Sequence, residues 1–351
     1  MKPAALLTLG LALTALLLAP ARAAAQEPAA DEVIKVNTDL VVLDAQVISK
    51  KTKRPVGDLR REDFELYEDG ARREIGYFGR DELPLSVLLL LDVSRSVRPI
   101  IERVGEGALG AMERLKPEDE VAVMAFATSP KLVQGFTKDR RLTAEKIKEA
   151  SREESLGRGT FLTEALFEAA REVPNATNPA SRRVVVVVTD NVALLGGDDA
   201  VRRTKTELLE SGAVVYGLVV RAAFGKIFDV VTFGKVNPVE QFSGETGGEV
   251  MGADKKEVDA KLGEMFARLR TRYSLGFKPA STKEDGTLHR LKLQLTPEAA
   301  KRIGKVIVVT RQGYYYRQRV PARRAGAPDS TATRDTPTRP RRVTSAPPPS
   351  R

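Results

Sequence analysis

The chain has no cysteine, no tryptophan and one histidine among its 351 residues. Without cysteine there are no disulfides, no thiol nucleophile and no cysteine to carry a lipid. A single histidine leaves a serine–histidine–aspartate triad only His289 as its base. There is no phosphate-cradling P-loop. Long apolar runs are scarce too. Beyond residue 25 the longest, "LPLSVLLLLDV", is short and ends in a charge, so it falls below the roughly 20 residues a membrane span needs. A basic face is also missing, although the net charge is +10. Between 318 and 351 eight arginines stand against two aspartates, and Lys2 and Arg22 add two more charges near the start. The middle is close to neutral, which argues against a nucleic-acid partner.

What is present begins with a candidate export signal. Lys2 gives a thin positive start, an apolar run extends from Ala4 to Leu18, and small residues follow in "ARAAAQ". Cleavage after Ala25, with Ala23 two positions before, fits a secretory signal over 1–25. A membrane anchor is the alternative, but the run of about 15 residues is short for one. Export without disulfides points to a bacterial periplasm or the extracellular medium.

The hydrophobic share of 42% is enough for a real core, and the length suits two domains or one large one. Residues 26–37 read as a polar linker. Over 38–83 the texture is β: "TDLVVLDAQVIS" has strand composition, and "DFELYEDGARREIGYFGR" alternates on either side of an acidic-Gly turn. From 84 to 270 apolar strands alternate with helical segments. "LSVLLLLDV" and "RRVVVVVTDN" read as strands covered on both faces, as in a parallel sheet. "RPIIERVGEGALGAMERL" has helical spacing at Ile100, Val104, Leu109, Met112 and Leu115. Helices are expected over 142–152, 161–172, 198–212 and 255–270. The fold expected is α/β: a doubly wound, mostly parallel sheet, flanked by a β-sandwich-like domain in which strands from 271–317 pair with those of 38–83. Residues 318–351, rich in Pro, Arg, Ser and Thr, read as a disordered tail that could contact anionic envelope polymers.

The chemistry gathers in "LLLLDVSRSV", residues 88–97. A buried strand ends in Asp92, and Ser94 and Ser96 follow at alternate positions. In open α/β sheets ligands bind outside the carboxyl ends of the strands. "VVVVVT" likewise delivers Asp190, and "GRGTFLTEAL" places Thr160 after a Gly-rich turn at the start of a helix. Two carboxylates and three hydroxyls on three loops suit a hard divalent cation. Magnesium fits best, with manganese or calcium as alternatives. Alternatively, Asp92 caps the next turn and the serines bond backbone amides. Arg95 and Arg98, beside the motif, read as solvated charges, or as an attraction for an acidic partner.

"DVSRS" matches the Asp-x-Ser-x-Ser motif of von Willebrand factor type A domains, and Thr160 and Asp190 match the later Thr and Asp of the metal-ion-dependent adhesion site of that family. The resemblance covers about 84–270. The flanks resemble an exported group of such proteins common in Acidobacteria. The resemblance implies that Ser94, Ser96 and Thr160 bind a cation directly or through water, with Asp92 and Asp190 acting largely through water. It implies a metal-dependent adhesion or interaction module, without catalysis of its own, whose cation engages an acidic group of a protein partner. The alternative is a scaffold subunit of a cell-envelope assembly in which the site is empty or structural. One departure is Asn191 after Asp190, where glycine is common in the family.

Other signals carry less. "GEGALG", Gly105 to Gly110, has the G-x-G-x-x-G spacing but sits inside a helical pattern, so it reads as small residues packing a helix on the sheet. His289 lies in a strand pattern and reads as a surface residue. A hydrolase using Ser94 or Ser96 with His289 is the remaining alternative. Tyr314 to Tyr316 read as a closing strand, and "NAT" at 175–177 as an incidental sequon.

Overall fold

The computed structural model describes residues 40–80, 82–192, 195–221 and 238–316. The expected export signal, linker and basic tail lie outside these residues.

A six-stranded sheet forms the centre, in the order β10-β9-β8-β5-β6-β7. Its strands are β5 (Leu85–Asp92), β6 (Glu120–Phe126), β7 (Pro130–Thr137), β8 (Arg182–Thr189), β9 (Val214–Arg221) and β10 (Val250–Asp254). All pair in parallel except β7, which runs antiparallel at one edge. Every residue of β5 is buried, because its two faces support separate cores. Leu85, Val87, Leu89 and Leu91 face one cluster, and Leu88 and Leu90 face the other. That explains a run without alternation: helices cover both sides.

The first face is covered by α1 (Arg98–Met112), α2 (Arg140–Ser151) and α6 (Val258–Leu269), the second by α3 (Leu162–Glu172), α4 (Asp198–Ser211) and α5 (Pro238–Thr246). Local sequence sets several helix ends. Asp139 caps α2 by accepting from the amides of Arg141 and Leu142, both at 3.0 Å. Gly212 ends α4 in the left-handed region (φ 69°). Of the expected apolar positions Ile100, Val104, Met112 and Leu115 are buried, together with Ile101, Ala108 and Ala111, while Leu109 is exposed. Gly105 and Gly107 are packing positions. A Cβ on Gly105 would lie 2.7 Å from Lys148 of α2, and one on Gly107 2.4 Å from Asp259 of α6.

The flanks form two four-stranded sheets, β13-β1-β11-β4 and β14-β12-β2-β3. From the amino-terminal side come β1 (Val41–Ser49), β2 (Phe64–Glu68), β3 (Ala71–Arg73) and β4 (Ile75–Arg80). From the carboxyl-terminal side come β11 (Tyr273–Phe277), β12 (Leu288–Leu295), β13 (Val306–Thr310) and β14 (Gly313–Tyr315). Strand β1 pairs with β11 and β13, and β2 with β12, all antiparallel. Leu43, Leu66, Tyr273, Phe277 and Leu293 belong to one core between the sheets. The segment after the acidic-Gly turn does not stay in one sheet. It breaks at Glu74, so β3 pairs with β2 while β4 crosses to pair with β11. A short helix, α7 (Pro297–Ile303), interrupts the β texture; Thr296 caps it by accepting from the Ala299 amide at 3.3 Å.

Candidate metal centre

Three strands deliver the candidate residues to one edge. Strand β5 is in register with β6 (Asp92 opposite Phe126) and with β8 (Leu91 opposite Val188). Asp92 thus ends β5 level with the end of β8, and Asp190 follows one residue after that strand. Thr160 reaches the same edge through the backbone, because the amide of Phe161 donates to the Ala127 carbonyl just after β6, at 2.9 Å. This is the carboxyl edge of the parallel strands, where such sheets bind ligands.

Asp92 is 0% exposed. One carboxylate oxygen accepts from the Ser94 amide at 2.9 Å, the other from the Thr189 hydroxyl at 2.7 Å. The Thr189 oxygen in turn accepts from the Asn191 amide at 3.1 Å. Ser94 is buried and Ser96 exposed, with their hydroxyl oxygens 3.5 Å apart. Thr160 is buried and Asp190 half-buried. Asp190 accepts from the Val192 amide at 3.0 Å. Asn191 has φ 61°. The backbone there needs the left-handed region, which asparagine tolerates better than most non-glycine residues. The departure at Asn191 therefore keeps the turn a glycine would make.

The electrostatics are those of an anionic pocket. Burial, with a smaller contribution from the nearby Asp190 charge, pushes the Asp92 carboxyl up to about 6 against the bonds from Thr189 and Ser94. Among the described residues no basic side chain pairs with either carboxylate. Nor do three His, Cys, Asp or Glu side chains cluster as a metal site, so any cation here would depend on the hydroxyls. Two carboxylates and three hydroxyls, all oxygen and lacking a counter-charge, fit a hard divalent cation. Ser94, Ser96 and Thr160 would hold it, and Asp92 and Asp190 would orient the hydroxyls and their waters.

Two supporting residues, Thr189 and Thr128, escaped the sequence, and a third, Arg98, was read differently. Thr189 is the polar end of a valine run, and its place beside a carboxylate was its only signal. Thr128 anchors the Gly-rich loop: its hydroxyl accepts from the Gly159 amide at 3.0 Å, and its amide donates to the Leu156 carbonyl at 2.8 Å. Gly157 (φ 89°) leaves no room for a Cβ, which would sit 2.4 Å from the Thr128 hydroxyl oxygen. Arg98 is not a freely solvated charge. Its guanidinium bonds Glu154 at 2.7 Å and the carbonyls of Glu153 and Val93 at 3.3 and 3.5 Å. It ties the serine motif to the loop that carries Thr160. The Lys131 ammonium, bonded to Glu153 at 2.5 Å, holds that carboxyl down at about 2 and steadies the same loop. Arg98→Ala is expected to loosen the loop, so that trypsin cleaves at the exposed Arg152 and Arg158 several-fold faster, with the circular dichroism spectrum unchanged. An unchanged cleavage rate would show that the tie is idle.

Residues 87–192 match the model of the von Willebrand factor type A domain family. A von Willebrand factor type A protein from Catenulispora acidiphila is similar at 11% identity and a TM-score of 0.42, over 78% of this chain and 73% of that one. The conserved hypothetical protein BatB from Bacteroides thetaiotaomicron is similar at 16% identity and a TM-score of 0.37, over 52% of this chain and 98% of that one. An aerotolerance-related membrane protein from Bacteroides fragilis is similar at 18% identity and a TM-score of 0.38, over 52% and 99%. At these identities the likeness extends no activity to this chain. No curated protein matches it. Among the described residues no helix is long and apolar enough to cross a membrane.

Proposed function

We infer that the chain is an exported interaction module that binds a protein partner through a divalent cation, magnesium for preference. The cation would rest on Ser94, Ser96 and Thr160, and an acidic side chain of the partner would supply a further oxygen. The observation that carries this reading is the uncompensated oxygen set at one sheet edge: buried Asp92, the adjacent Asp190 charge, the Ser94 and Ser96 hydroxyls on the Asp92 loop and the Thr160 hydroxyl from a further loop. Neutral hydroxyl donors leave a cation electrophilic, so an anionic ligand from outside is favoured.

A hydrolase reading of these serines would need His289 as its base. His289, the only histidine of the chain, lies on β12 in the flanking sandwich, bonded to Asp69 at 2.8 Å and stacked on Tyr314. Only 12% of its side chain is exposed, so it is a packed residue rather than the surface one expected. The ring nitrogen Nδ1 is engaged by Asp69 rather than by Ser94 or Ser96.

The test is partner binding with and without chelator, in wild type and Asp92→Ala. Loss of binding in both the chelated and the substituted protein is expected. Binding that survives both would favour the scaffold reading, with the partner held by the sandwich or the tail.

A further inference from the structure

The loops around the candidate centre carry both apolar and basic side chains in the open. Two large apolar side chains are left open there. Phe161, next to Thr160, is 38% exposed, and Val192, two residues after Asp190, is 55% exposed. The Phe161 ring folds back over the Gly-rich loop: a Cβ on Gly159 would lie 3.0 Å from its edge. Two exposed arginines stand on the same loops, Arg95 between the two serines and Arg158 in the turn before Thr160. Neither has an ionic partner among the described residues, whereas Arg98, close by, bonds Glu154 and two carbonyls. Half-buried Glu153 and exposed Glu154 are already taken, Glu153 by Lys131 and Glu154 by Arg98.

Exposed apolar side chains and unpaired cations on the loops of one sheet edge have a complementary ligand: a segment with a large apolar side chain next to its carboxylate and further acidic residues around it. Apolar contact gives affinity in proportion to the area removed from water, and unpaired arginines draw acidic chains by long-range attraction. We propose that this rim selects an acidic peptide segment in which a large apolar residue neighbours the carboxylate that meets the cation. The proposal rests on the cation reading above and adds the identity of the neighbouring residue.

Three twelve-residue peptides test it on the full chain in magnesium: alternating Asp-Leu, alternating Asp-Ser and alternating Asn-Leu. The Asp-Leu peptide is expected to bind about tenfold more tightly than Asp-Ser, the worth of one partly buried leucine, and Asn-Leu not to bind. The readout is the ratio between the two acidic peptides, because the cation contributes equally to both. Phe161→Ser and Val192→Ser should each shrink that ratio. Arg95→Gln with Arg158→Gln should weaken both acidic peptides and flatten their salt dependence. Equal affinity for the two acidic peptides, no binding of either, or a ratio unchanged by both apolar substitutions would overturn the proposal. If Asp-Leu binding persists in chelator and in Asp92→Ala yet falls in Phe161→Ser, the rim stands and the cation reading fails.

Discussion

Asp92→Asn is expected to stabilise the metal-free protein by about 3 kcal/mol near neutral pH, while removing any stabilisation by magnesium. The wild-type carboxyl titrates near 6 in the folded chain, against 3.8 ordinarily. Each pH unit of that difference is worth about 1.4 kcal/mol. The sign follows from which state holds the proton. Between about pH 6 and 3.8 the folded chain binds a proton at Asp92 that the unfolded chain does not, so stability rises as pH falls through that window. Above 6 the whole cost of burying the charge stands. Asparagine keeps the shape, accepts from the Ser94 amide and can donate to the Thr189 oxygen, with no charge to bury. Urea unfolding of both proteins in chelator checks this. The gap should be widest at pH 7 and above and close towards pH 4. A gap of zero at pH 7, or one that does not change with pH, would show that Asp92 is not a buried charge awaiting a cation.

Glu68→Ala is expected to destabilise the chain by about 3 to 5 kcal/mol, the usual result of breaking one side of a buried ionic network. Glu68 is fully buried. Its carboxylate accepts from the Arg73 guanidinium at 2.7 Å, from the Ala280 amide at 3.0 Å and from the Tyr314 hydroxyl. Those partners sit on β3, after β11 and on β14, so one side chain joins the two flanks of the sequence. Burial raises the Tyr314 phenol above its ordinary range, and the bond to Glu68 adds to this, so Tyr314 remains a donor. Tyr314→Phe should cost far less, about 1 kcal/mol, because Glu68 keeps two partners and only one bond is lost. Comparable losses from the two substitutions would mean that packing, not the carboxylate, joins the sandwich.

The α/β class was legible because parallel strands buried on both faces leave unbroken apolar runs, as in β5 and β8. The ends of those runs were legible too, since a polar side chain at the end of a buried strand marks the sheet edge. Strand β7 was not: "PKLVQGFT" opens on proline and carries polar residues, and only the edge position tolerates that. Helix α7 was hidden by the strands around it, although Thr296, Pro297 and Glu298 form an ordinary helix start. The sheet change at Glu74 depends on pairing with β11, which no local pattern records. Residues bonded between neighbouring strands of one sheet, such as Glu65 and Gln294, stand 229 positions apart. The same limit hid Arg98 and Thr128. Their residue types were visible, but their partners belong to a loop more than thirty residues away.

The central claim is that the oxygen set at the sheet edge holds a divalent cation. Titration calorimetry with magnesium and manganese, on wild type and Asp92→Ala, tests it most directly. The account predicts saturable binding to wild type and none to the variant. Equal binding by both proteins, or none by either, would contradict it.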